Sequence, residues 1–225
     1  MGDKWFLSFT KVFYKERFLF LIVFMVALIV LGPFIQGFIG LRLFMEVFFS
    51  IIFIATIYAV SQKRLHIIIA AILLIPALLA VWTPDIPRHN ILLTIGYLCG
   101  LIVLAFAIIS ILKYLFAEET VTRQTISAAV AVYLLIALMW TFIYRLIENL
   151  YPGSFAVAHD NLYTAENIYL YFSLVTITTL GYGDITPIGS QAIALSVLEA
   201  ITGQIYLVVV VAWFVGLYVS RKSSK

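Results

Sequence analysis

Residues 176–187 read TITTLGYGDITP, with four threonines, two glycines, an aspartate and a proline. The chain around them has 225 residues, of which 64% are hydrophobic and 11% charged, well below the roughly 25% charged content of soluble domains. Long apolar runs follow one another with short polar breaks, the pattern of an integral membrane protein. At membrane depth, backbone that is not helical is tolerated only where it is buried in protein or lines a wet cavity, because each unsatisfied amide in lipid costs several kcal/mol. Residues 179–184 are therefore expected to line something wet.

Glycine spacing says how. An extended strand points successive carbonyls in opposite directions. Turning them all one way requires backbone that alternates between right- and left-handed regions, and glycine enters the left-handed one cheaply. Gly181 and Gly183 have that alternate spacing. Aligned carbonyls from several copies of the chain, with the Thr179 hydroxyl below them, form a ring suited to replacing the water around a desolvated cation.

The rest of the chain divides around this stretch. Met1 to Arg17 mixes Lys4, Lys11, Lys15 and Arg17 with Trp5, Phe6, Phe9 and Phe13, as an interfacial segment on an anionic membrane face does. No small-residue cleavage site follows the next apolar run, so no removable signal peptide is expected. Six spans are predicted: Phe18–Phe38, Leu43–Val60, Leu65–Trp82, Ile91–Leu112, Ile126–Ile147 and Gly189–Val219. Between the last two, the 15 residues from Ala165 to Thr179 are too few to cross about 30 Å of hydrocarbon at 1.5 Å per residue. They fit a re-entrant half-helix with Thr164 as N-cap and Glu166 at the positive end of its dipole; the alternative is a surface helix on the outer face.

With the amino terminus cytoplasmic, the inner side holds Lys4, Lys11, Lys15, Arg17, Lys63, Arg64, Lys113, Arg123, Arg221, Lys222 and Lys225, and the outer side only Arg42, Arg88 and Arg145. This positive-inside bias puts both termini in the cytoplasm and brings the half-helix in from outside. The expected organisation is an interfacial segment (1–17), a four-helix membrane domain (18–116), a linker (117–125), a pore domain (126–219) and a short cytoplasmic tail (220–225), with no attached ligand-binding domain.

The segment TTLGYGD resembles the T-V-G-Y-G-D signature of tetrameric potassium channels, and the resemblance covers roughly Ile126 to Val219. The wording GYGDITP and LEAITGQIYLVVVVA is most similar to short bacterial ion-channel proteins with a few helices before the pore. The resemblance implies an all-α polytopic fold assembled as a homotetramer with three further copies of the chain. It implies potassium coordination by the carbonyls of Thr179, Leu180, Gly181 and Tyr182 plus the Thr179 hydroxyl, with Gly183 completing the filter. Asp184, Tyr171 and Thr178 stand as filter support, and potassium is the permeant ion rather than a cofactor. Leu180 replaces the usual valine, and Tyr171 and Phe172 stand where many relatives have two tryptophans; Tyr171 is then placed to brace Asp184.

Two residues after the filter carry further expectations. Gly203 lies where the family places its inner-helix hinge glycine, although a lone glycine in a membrane helix is otherwise a close-packing site. Glu199, one turn earlier, is an ionisable group well inside a span, which is costly unless it is buried against a partner or faces water. It either lines the cavity or packs behind the filter, and the second is expected. Outside the membrane, Glu148, Asp160, Glu166 and Asp184 oppose only Arg145 between residues 145 and 190, an acidic mouth that gathers cations.

Other chemistry is excluded by inventory. GYGD also satisfies the G-x-G-D pattern of intramembrane aspartyl proteases, but that reaction needs a second aspartate at membrane depth, and Asp3, Asp85 and Asp160 lie in loops or the tail. His66, His89 and His159 lack paired ligand spacing, and Cys99 has no second cysteine. The net charge of +3 is spread over helix ends, unlike a nucleic-acid-binding patch. The expected function is passive potassium-selective conduction across the cell membrane, with no enzymatic activity and with an unidentified regulator. A non-selective cation channel or a non-conducting scaffold with the same fold is the alternative. The fourth span has no Lys or Arg, so only weak voltage dependence is expected, since sensing requires charges moved through the field at roughly 2.3 kcal/mol each per 100 mV.

Overall fold

The computed structural model describes residues 16–35, 41–60, 64–82, 90–158 and 168–223. Most of the interfacial segment, together with Thr164, Glu166, Asp160, Arg88 and the end of the tail, lies outside the described residues. In chain order the elements are α1 (Arg17–Ile35), α2 (Leu41–Val60), α3 (Arg64–Trp82), α4 (Ile91–Ala117), α5 (Arg123–Leu150), β1 (Phe155–Val157), α6 (Ile168–Ile177), β2 (Ile185–Pro187) and α7 (Ser190–Ser223).

Helix ends follow from short polar signals. Asn90 caps α4, its Oδ1 accepting the Leu92 amide at 2.8 Å. Thr122 and Thr125 form a reciprocal capping box at the start of α5, with backbone-to-hydroxyl bonds of 3.2 and 2.7 Å; this satisfies amides that have no intrahelical acceptor. α4 runs on to Ala117 and α5 begins at Arg123, so residues 118–122 lie between the two helices. Past the end of α5, the Glu148 carboxyl accepts the amides of Gly153 (2.8 Å) and Ser154 (3.1 Å). Glu148, in the last turn of α5, is therefore buried, with its carboxyl turned onto the segment that follows the helix.

Among the described residues, three helices, α4, α5 and residues 190–220 of α7, are long and apolar enough to cross a membrane; residues 17–31, 46–56, 71–82 and 168–177 form shorter apolar helices. α4 packs most extensively against α5 and next against α3, while α1 lies against both α2 and α5. The junction centres on Phe142, fully buried on α5, whose ring meets Phe53 (5.4 Å, 88°) and Phe49 (6.3 Å, 82°) from α2 and Tyr97 (6.2 Å, 79°) from α4. Edge-to-face pairs of this kind add to the burial of their area. The buried stripe of α4 (Leu93, Tyr97, Leu104, Ile108, Ile111, Leu115) is apolar throughout.

One departure from the all-α expectation is a two-stranded antiparallel ribbon, β1 with β2, pairing Phe155 with Pro187, Ala156 with Thr186 and Val157 with Ile185. Its ends are fixed by Ala158 N–H donating to Asp184 O (2.8 Å) and by Ser154 O accepting from Ile188 (2.8 Å) and Gly189 (3.1 Å). The ribbon thereby clamps the segments on either side of α6.

Candidate functional site: the loop after the short helix

The ten-residue helix α6 ends in a Schellman cap. Leu180 N–H donates to Val175 O at 2.9 Å, Thr179 N–H to Thr176 O at 3.0 Å, and Thr179 takes the left-handed position with φ 59°. That position ordinarily belongs to glycine, and a β-branched residue there is strained by about 1–3 kcal/mol. Left-handed φ recurs at Gly181 (57°) and Gly183 (79°), so every second residue from 179 to 183 is reversed. Gly181 N–H also turns back to Val175 O (3.3 Å). Among the described residues, no carbonyl from Thr178 to Gly183 accepts a hydrogen bond, and all six residues are exposed in the single chain.

Side chains from α6, from α5 and from the loop itself hold it in place. Tyr171 on α6 donates its phenol to Asp184 Oδ2 at 2.7 Å, across the loop. The Thr178 hydroxyl bonds back to Leu174 O at 2.6 Å. Tyr133 on α5 donates to Ile177 O at 3.0 Å, satisfying a carbonyl at the last turn of α6. Phe172 fills the space between α6 and α5, its ring 5.0 Å from Tyr144 and 5.2 Å from Phe155.

α7 closes the back. Its buried face follows helical spacing through Ala192, Ser196, Glu199, Gly203 and Val210. Gly203 is a close-approach position: a Cβ there would lie 2.7 Å from Ile177 O and 2.6 Å from Ile177 Cγ1. Glu199 has no solvent exposure. Its Oε2 accepts from the Tyr144 phenol on α5, and its Oε1 is hydrogen-bonded to the Ser173 hydroxyl on α6. One carboxyl thus joins α5, α6 and α7 behind the loop. Most of the remaining α7 surface, including Ile201, Ile205, Val208, Val209 and Val211, is exposed and apolar.

Thr179, Leu180, Gly181, Tyr182, Gly183 and Asp184 are therefore contiguous on one short loop, with Tyr171 and Thr178 bonded around it and Glu199 and Gly203 against α6. Sequence reading missed Tyr133, Tyr144 and Ser173. Tyr133, Ala137 and Tyr144 share a face of α5 at i, i+4, i+11 spacing, and Ser173 is a lone serine in a helix of mostly apolar residues; together these were the available signals. Among the described residues no cluster of potential metal ligands occurs.

A family model described as an ion channel matches residues 129–220, the region from α5 to α7 and a little under half of the chain. No curated protein and no solved structure matches the chain. The family match, together with the apolar helices, supports a membrane protein of the ion channel kind, and with it passive ion conduction.

Proposed function

We propose that four copies of this chain assemble a potassium-selective pore whose filter is the loop from Thr179 to Gly183. The observation that carries this reading is the alternation of left-handed φ at Thr179, Gly181 and Gly183 beside carbonyls without partners among the described residues. Such carbonyls are tolerated at membrane depth only where they face a wet cavity, and a ring of them replaces an ion's hydration shell. One copy supplies one wall of such a ring. The exposed apolar face of α7 then meets neighbouring copies, lipid or the central cavity.

In this reading potassium passes down its electrochemical gradient through carbonyls of Thr179, Leu180, Gly181 and Tyr182 and past the Thr179 hydroxyl. α1 to α5 and α7 are the six spans in the cell membrane, both termini are cytoplasmic, and α6 enters from outside. With no basic residue from Ile91 to Leu112, membrane potential has little to act on, and the opening stimulus comes from elsewhere. The test is the mass of the purified protein in lipid nanodiscs together with potassium uptake by liposomes. A fourfold mass with potassium uptake supports the proposal; a monomer or dimer without flux overturns it.

A further inference from the structure

The Ser173 hydroxyl lies 2.7 Å from Ala137 O and also contacts Glu199 Oε1. A hydroxyl has one proton, and a backbone carbonyl has none to give. If Ser173 donates to Glu199, its oxygen faces the Ala137 carbonyl with no hydrogen between them. If Ser173 donates to Ala137, the contact with Glu199 needs a proton from the carboxyl. The second assignment satisfies every atom: Ser173 gives to Ala137, Glu199 gives to Ser173, and Tyr144 gives to Glu199 Oε2.

The surroundings favour the same assignment. Glu199 is fully buried, and no cation pairs with it among the described residues. The other ionisable group facing it from α5 is Tyr133, whose proton goes to Ile177 O. Ser196, one turn earlier on α7, gives its proton to Ala192 O at 2.7 Å. A buried carboxylate without a cation, its two hydroxyl donors leaving the Ser173 oxygen against the Ala137 carbonyl, is more costly than a neutral acid with every contact matched.

We propose that Glu199 is held as a neutral carboxylic acid that donates to Ser173 and accepts from Tyr144, and that this three-helix hub positions α6 and thereby the loop from Thr179 to Gly183. The positioning part rests on the channel reading; the protonation part does not. Glu199 reaches the loop through α6 and is a positioning residue. Glutamine supplies the acceptor for Tyr144 and a donor for Ser173, with one further N–H, whereas alanine removes the acceptor that Tyr144 uses.

The test compares wild type, E199Q and E199A in lipid at pH 7. In the infrared difference spectrum of wild type minus E199Q, a protonated-carboxyl C=O band is expected; carboxylate bands in its place overturn the neutral acid. In liposome flux, E199Q is expected to keep the potassium preference, and E199A to lower the potassium-to-sodium ratio by about tenfold, as leaving a buried donor unpaired implies. Equal loss in E199Q and E199A overturns the positioning role. Should E199A fail to assemble, E199Q alone decides, since retained preference supports the hub and loss of it does not. An acid band in a wild type that passes no ions supports the neutral acid and removes the channel reading.

Discussion

The phenol of Tyr171 and the carboxyl of Asp184 are joined at 2.7 Å across the loop that lies between them in the chain. Asp184 also accepts through its backbone carbonyl from Ala158 and through Oδ1 from its neighbour Ile185 at 3.1 Å. The far end of the loop is thereby tied both to α6 and to the ribbon. Replacing Tyr171 by Phe keeps the ring and removes the hydrogen bond, which is expected to weaken the loop by about 1.5 kcal/mol per copy. Potassium current through Y171F should decay faster under sustained conduction than through wild type, with the mass of the assembly unchanged. Identical time courses would show that the bond has no part in holding the loop.

Gly181 separates backbone strain from crowding. A Cβ there meets nothing within 4 Å in its own chain, while its φ of 57° lies in the left-handed region. Gly181→Ala should therefore act through the backbone, at about 1–2 kcal/mol per copy. Its expected effect is loss of potassium preference without loss of assembly, measured as the ratio of potassium to sodium flux in liposomes. An unchanged ratio would separate the alternating backbone from selectivity.

The parts of the site differ in how visible they were in the sequence. Gly181 and Gly183 announce the alternation because glycine is the residue that enters left-handed backbone freely. Thr179 does not, because a β-branched residue is a poor candidate for that conformation, and only the Schellman geometry at the end of α6 places it there. Glu199 stood out as an ionisable group within a span, but its partners lie 26 and 55 positions away, beyond any local pattern. The ribbon was equally hidden, since three-residue strands carry no period. The capped start of α5 was likewise hard to read, because the Thr122–Thr125 box is not the usual Ser/Thr-x-x-Glu form.

Phe142 gives a test of how the first helices are held to α5. Its ring is fully buried against Phe49, Phe53 and Tyr97. Phe142→Ala should destabilise the folded chain by about 3 kcal/mol, mainly because the cavity left by the ring deprives its neighbours of van der Waals packing. Thermal unfolding in detergent, followed by tryptophan fluorescence, should show a lowered midpoint for F142A. An unchanged midpoint would mean that α2 and α4 are not held to α5 through this ring.

The charge-free stretch of α4 predicts a shallow response to membrane potential. From Ile91 to Leu112 the helix holds no Lys or Arg, and its buried face is apolar. Lys113 follows on an exposed position. A conductance–voltage curve in a planar bilayer with symmetric potassium should change only weakly across the physiological range. A steep sigmoid that survives a change of permeant ion would require charge movement that α4 does not supply.

The most direct test of the central claim is the reversal potential of the reconstituted protein with potassium on one side of a bilayer and sodium on the other. A loop whose alternating backbone aligns its carbonyls to replace the hydration of potassium predicts a reversal potential displaced far from zero, in the direction of potassium leaving its own side. A reversal potential at zero, with current carried equally by both ions, would contradict the assignment of Thr179 to Gly183 as a potassium filter.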